Sequence, residues 1–238
     1  MSFYKHYAGR PRNPFGVRIK THQALVMLNT AERYAVHKIT SVLEIGPGDG
    51  YIADHYSESG IAYQAIERSA EVVKRLESKG IKITQASCPP IPPGVGRVDV
   101  CFMLHVIEHM KDADVAAALL RDIGTHLNDR GLLIIACPDY MRWKEYFYDC
   151  DYTHTLPFTK RRLRQILLDE GYEIVKEDIY TGPVFGYKGL PIYWAVKLLF
   201  PGFLNDYLEK YFKHDFLNKA YLTFLPNLFV VARKRVST

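Results

Sequence analysis

Apolar and polar positions along the chain alternate between two rhythms. Residues 18–38 place Ala24, Leu25, Leu28, Ala31, Ala35 and Ile39 near one face at helical spacing, behind an irregular arm at 1–17 rich in Arg, Pro, Gly and Tyr. A repeating unit then begins. SVLEI (41–45) reads as a short apolar strand, followed by a glycine-rich turn and a helix over 50–58. IAYQAIE (61–67) is a second strand, and 69–79 a helix with Val72, Val73 and Leu76 inward, ended by Gly80. IKITQA (81–86) is a third strand and precedes the proline-rich loop CPPIPPGVGR. VDVCFML (98–104) is a fourth, 112–127 a helix, and LLIIAC (132–137) a fifth strand after Gly131.

Beyond residue 138 the rhythm loosens. PDYMRWKEYFYDCDYTHTLPF reads as a polar, aromatic loop, 159–171 as a helix and YEIVKEDIY (172–180) as an alternating strand. An aromatic insertion fills 181–218, and 222–234 forms a last strand interrupted near Pro226. Strands alternating with helices through short links predict an α/β fold. It is a Rossmann-like, doubly wound, mostly parallel sheet, with the aromatic insertion before the last strand. Right-handed crossovers gather the strand ends on one edge, where ligands bind. With no internal repeat and no linker, one domain is expected: arm and helix (1–38), core (40–180), insertion (181–218) and final strand (219–238).

Gly46, Gly48 and Gly50 follow a strand and precede a helix, where missing side chains let backbone approach a ligand and allow positive φ. Glu67 ends the next strand, where a carboxylate can accept hydrogen bonds from both hydroxyls of an adenosine ribose. Dinucleotides and S-adenosylmethionine are both bound by such an arrangement. The run here is E-I-G-P-G-D-G, and the charge of Asp49 is a poor neighbour for pyrophosphate but suits a cationic sulfonium.

At this point the chain resembles the class I S-adenosylmethionine-dependent methyltransferases, whose first motif is an acidic residue followed by GxGxG. The resemblance covers roughly residues 40–180. It implies cofactor contacts at Glu44, Gly46, Gly48, Gly50 and Glu67. The acid usual after the third strand is absent from QASCPP, so Ser87 or backbone is the expected adenine contact. LHVIEHM (104–110) matches a segment whose first residues line the cofactor, which implies contacts at Leu104 and His105. Glu108 and His109 would then sit at the floor of the substrate pocket.

If 105–109 were helical, His105, Glu108 and His109 would share a face, and His154 could approach from the loop after the fifth strand. Such a set would suit a divalent transition metal. The segment also resembles that of small-RNA 2′-O-methyltransferases, which use a glutamate-rich version and a downstream histidine to hold a metal; here His105 replaces the first glutamate. The expectation carried forward is a site without metal. His154 is expected to deprotonate or orient an acceptor hydroxyl, its tautomer fixed by Asp151 and Thr153, with His109 and Glu108 as the other catalytic candidates.

Composition narrows the acceptor only slightly. The formal net charge of +5 tolerates an anionic substrate without requiring nucleic acid, which is not expected. Cys88, Cys101, Cys137 and Cys150 form no CxxC pair and read as reduced thiols of a cytoplasmic protein. The N-terminus lacks the apolar core of a signal peptide. In the insertion, Phe185, Tyr187, Tyr193, Trp194, Phe200, Phe203, Tyr207, Tyr211 and Phe212 are interleaved with Lys188, Lys197, Lys210 and Lys213. A substrate lid, a basic face on a membrane surface, a homodimer interface and plain packing all fit this stretch, and the Tyr4, Tyr7 and Arg10 arm could cover the same pocket. The expected reaction is O-methylation of a hydroxyl on a small-molecule or glycan-like acceptor. The alternatives are N-methylation of a small amine, metal-assisted methylation of a sugar or RNA 2′-hydroxyl, and a non-catalytic cofactor-binding module.

Overall fold

The computed structural model describes residues 13–56, 59–199 and 221–235. Its centre is an eight-stranded sheet: β1 (Ser41–Ile45), β2 (Ala62–Glu67), β3 (Ile83–Gln85), β4 (Val98–Leu104), β5 (Leu127–Pro138), β6 (Tyr172–Thr181), β7 (Val184–Phe185) and β8 (Asn227–Lys234). The spatial order is β3-β2-β1-β4-β5-β8-β6-β7. Pairings from β3 through β5 are parallel, whereas β8 lies antiparallel between β5 and β6 and β7 runs antiparallel to β6. The result is the doubly wound, Rossmann-like α/β fold with the expected mostly parallel sheet.

Successive residues of each central strand face opposite layers. Val42, Val100, Phe102, Leu132, Ile134, Phe229 and Val231 pack under α1 (Pro14–Tyr34) and α2 (Tyr51–Tyr56). Leu43, Cys101, Met103, Leu133, Ile135, Leu228 and Val230 pack against α4 (Ala113–His126) and α7 (Lys160–Asp169) on the other face. Between these, α3 (Ala70–Glu77) seats Val72 and Leu76 on Ala53 and Ile81. Because both faces are covered, these strands read as continuous apolar runs. All four cysteines are free, with Cys101 and Cys137 in the core.

Several boundaries differ from the sequence reading for identifiable reasons. Helix α1 starts at Pro14, not near 18, because the Asn13 side chain accepts from Phe15 N at 3.0 Å and Pro14 occupies the first turn. Leu25 of its expected buried face is exposed, and Met27 is buried instead. Strand β5 begins at Leu127 because a register shift opposite Val98 and Val100 accommodates the polar NDRG stretch. Strand β8 begins only at Asn227, since Pro226 has no N–H to give a ladder. The expected loop over 138–158 contains two short helices, α5 (Tyr140–Trp143) and α6 (Tyr146–Asp149). Asp139 caps α5, accepting from Met141 N and pairing with Arg142.

The insertion contributes β7, a 3₁₀ turn (Tyr187–Gly189) and α8 (Leu190–Leu199). Tyr4, Tyr7 and Arg10, and the insertion's Phe200, Phe203, Tyr207, Lys210, Tyr211, Phe212 and Lys213, lie outside the described residues. No helix among the described residues is long and apolar enough to cross a membrane.

Candidate functional site

The strand order reverses between β1 and β4. The connections leaving these two strands therefore diverge and open a crevice at the C-terminal edge of the sheet. The glycine loop follows β1 at this edge. Gly46, Gly48 and Gly50 have φ of 71°, 49° and 84°. A Cβ at Gly46 would stand 2.5 Å from Val106 Cγ2, so only glycine lets this loop close on the segment leaving β4. Around Gly48 an added Cβ would find nothing nearer than 4.0 Å, which leaves that backbone open to a ligand. Arg75 Nη2 donates to Gly48 O at 2.6 Å and steadies the turn from beneath. Asp49 lies 3.7 Å from both Lys20 and Arg75, so its charge is partly balanced within the protein.

Glu44 is almost wholly buried at the end of β1, and Tyr63 OH donates to its Oε2 at 2.5 Å. Burial, opposed by that hydrogen bond and aided by the nearby charges of Asp54 and Glu67, raises its carboxyl to about 7. Glu67 closes β2 on the neighbouring strand, and its Oε1 accepts from Ser69 N at 2.8 Å. Burial raises it too, against the backbone hydrogen bonds of Ser69 and Arg68. Ser87 is exposed in the segment after β3, and Leu104 is half-buried at the end of β4. An open glycine backbone, an acid at each of two adjacent strand ends and a close-packed β4 segment fit a nucleoside carrying an amino-acid arm.

The β4 segment departs from the predicted helix. Only Ile107–His109 form a single 3₁₀ turn, and His105 sits at φ 56°, a left-handed conformation rare outside glycine. His105 N donates to Ala136 O at 2.8 Å and holds that kink to β5. The turn sends His105 away from His109. One of its ring nitrogens, Nδ1, lies 3.3 Å from Glu108 Oε1, and the other, Nε2, 2.7 Å from Tyr180 OH. The four-residue set envisaged from helical spacing is therefore reduced to three. Glu108, His109 and His154 each place one potential donor atom within 4.8 Å of the others.

Each member is held by its neighbours. Glu108 is fully buried, and its backbone carbonyl accepts from Thr155 N and Leu156 N, both at 3.0 Å. Burial pushes its carboxyl up, but the His105 hydrogen bond and the fields of His105 and His109 outweigh this and hold it below the ordinary range. His109 Nδ1 faces Thr153 Oγ1 at 2.9 Å and Thr153 O at 3.2 Å. His154 Nδ1 faces Phe147 O at 2.6 Å. Burial lowers the imidazole of His154, against the pull of Glu108 and of that carbonyl. The expected roles of Asp151 and Thr153 are thus reassigned. Thr153 Oγ1 donates to Asp151 Oδ1 at 2.7 Å and supports His109, whereas His154 is oriented by Phe147.

Sequence reasoning missed Tyr180 and Phe147, which look like ordinary core aromatics. The described part of the insertion reaches the site through Phe147. Tyr193 of α8 joins Trp143, Phe147, Tyr221 and Leu225 in one apolar cluster. Trp143 Nε1 donates to Pro226 O at 2.8 Å, and Phe147 lies against the His154 ring with centroids 4.7 Å apart. Elsewhere on α8, Trp194, Leu198 and Leu199 are exposed.

A family profile described as a methyltransferase domain matches residues 12–177. An uncharacterized methyltransferase of Mycolicibacterium gilvum (strain PYR-GCK) is 30% identical over 74 residues, 29% of this chain and 29% of that protein's length. Among solved structures, a SAM-dependent methyltransferase from Archaeoglobus fulgidus superposes with a TM-score of 0.62 at 17% identity, covering 98% of this chain and 100% of the other. The N-methyltransferase NodS from Bradyrhizobium japonicum WM9, solved in complex with S-adenosyl-L-homocysteine, gives 0.59 at 12% identity, covering 93% and 88%. At these identities the structures speak for the fold.

Proposed function

Because the chain belongs to the S-adenosylmethionine-dependent methyltransferases of the class I fold, we propose that it transfers the methyl group to a hydroxyl of a small-molecule or glycan-like acceptor. Bound in the crevice, S-adenosylmethionine supplies an electrophilic methyl on sulfur. The chain's own residues then have three tasks: to hold the two reactants in line, to exclude water and to take the proton that an alcohol carries. Gly46, Gly48 and Gly50 would receive the methionine arm, Glu44 would face its cationic end, and Glu67 would accept from the ribose hydroxyls.

The observation that carries the hydroxyl reading is the Glu108–His109–His154 cluster. An amine acceptor can present its own lone pair, but an alcohol needs a base. Here two imidazoles, one of them with its pKa lowered by burial, stand around a buried carboxylate. The exposed side chains of Met141, Tyr148 and Tyr152, on the segment that carries His154, offer apolar and aromatic surface to the body of an acceptor.

The test is methyl transfer from labelled S-adenosylmethionine to matched alcohols and amines, with the wild type and His154→Ala. The expected result is a labelled ether, formed at least ~10²-fold more slowly by the variant while its affinity for S-adenosylhomocysteine is unchanged. Transfer to amines alone would replace this reading with N-methylation, and full turnover of the alcohol by the variant would remove His154 from the role of base.

A further inference from the structure

We propose that Glu108, His109 and His154 form a binding site for one divalent transition-metal ion. Two imidazole nitrogens and a carboxylate oxygen within 4.8 Å of one another form a mixed N/O donor set. Around an ion with bonds of about 2.1 Å, tetrahedral ligand atoms stand about 3.4 Å apart. Closure thus asks for shifts of about an ångström, within reach of side-chain rotation.

Three features support the assignment. First, Glu108 is fully buried, yet its Oε2 has no hydrogen-bond partner among the described residues. A buried carboxylate oxygen left in that state is costly, and a cation beside it removes the cost. Second, the tautomers are fixed. Phe147 O can only accept, so His154 Nδ1 carries its proton. The hydroxyl proton of Thr153 is directed to Asp151 and its carbonyl also only accepts, so His109 Nδ1 carries a proton as well. With the Nδ1 proton directed to these acceptors in each ring, Nε2 is the nitrogen whose lone pair a metal would take. Third, each donor is anchored from outside: His154 by Phe147 O, His109 by Thr153 and Asp151, and Glu108 Oε1 by His105 Nδ1, with Tyr180 OH behind that ring. Hydrogen bonds of this kind orient metal ligands. They also exclude His105 from the set, since both of its nitrogens are engaged.

Three protein ligands leave at least one coordination position for a substrate oxygen or water. The assignment concerns binding: without an ion His154 Nε2 is free to act as the base described above, whereas an ion in the site would take that lone pair and would itself favour deprotonation of a bound hydroxyl.

The experiment is titration of the full chain, stripped with chelator, with Co²⁺ alone, followed by visible absorption and calorimetry. The expected result is one equivalent bound, with d–d bands of four- or five-coordinate cobalt. Affinity should fall at least ~100-fold in Glu108→Gln and in His154→Ala and about tenfold in Thr153→Val, which keeps all three ligands. Circular dichroism and S-adenosylhomocysteine binding of His154→Ala establish that the fold persists. No saturable cobalt binding by the wild type, or equal binding by the folded variants, overturns the site. Because methyl transfer is not the readout, a negative result here and a failure of the hydroxyl assay are distinguishable.

Discussion

Glu44 shows how much a single residue's chemistry depends on its surroundings. It lies on a strand covered on both faces and keeps one hydrogen bond, from Tyr63. Its carboxyl is raised from 4.5 to about 7. A folded-state value above the unfolded one means that the native state holds the proton more tightly. The resulting stability is fully present below about pH 4.5 and is lost as pH rises towards 7. At about 1.4 kcal/mol per unit the loss approaches roughly 3 kcal/mol. Glu44→Gln cannot titrate, so urea unfolding at pH 4.5 and 8 should show the wild type losing that much relative to the variant. Parallel pH responses would mean that Glu44 titrates in the native protein as it does in the unfolded chain.

At the scale of elements, the short helices α5 and α6 carry a task out of proportion to their length. Four-residue helices have almost no stability of their own. They are kept in place by the Asp139 cap and by the apolar cluster that Tyr193 of α8 completes. Phe147 belongs to that cluster and also orients His154, so packing by the insertion is transmitted to the site. Tyr193 is 3% exposed, and its hydroxyl donates to Arg142 O at 3.4 Å. Tyr193→Ala should cost about 3 kcal/mol, which lowers the midpoint of thermal unfolding by roughly 6–12 °C in a chain of this size. Turnover should fall by a larger factor than cofactor affinity. An unchanged melting curve would show that α8 contributes nothing to the seat of His154.

For the whole molecule, β8 is the strand that unites the sheet. It separates β5 from β6 and bonds to both, so the last described segment of the chain completes a sheet that begins at β1. Arg233 Nη2 also reaches back to Tyr34 O at the end of α1, at 2.8 Å. Deleting residues 221–238 would leave two unpaired edges and strip Phe229 and Val231 from the core. The truncated chain is expected to show no cooperative thermal transition by circular dichroism. A cooperative melt would mean that β1 to β6 close without it.

The sequence by itself determined the central strands and the glycine turn, because both rest on local demands. Strands buried on two faces must be apolar throughout, so SVLEI, VDVCFML and LLIIAC are legible without tertiary information. A strand-to-helix turn at positive φ calls for glycine at residue 46, whereas its contact with Val106 and the crevice between β1 and β4 come from the packing and strand order of the fold. Only the tertiary structure decided the chemistry at the other wall. His109 and His154 are 45 residues apart, and neither carries a local sign of its partner. The left-handed φ of His105 turned a supposed helix face into a kink, which removed His105 from the cluster and set it behind Glu108. The tautomers of the two cluster histidines depend on a carbonyl of α6 and a threonine of the following loop, whose positions follow from long-range packing, not from any pattern along the chain.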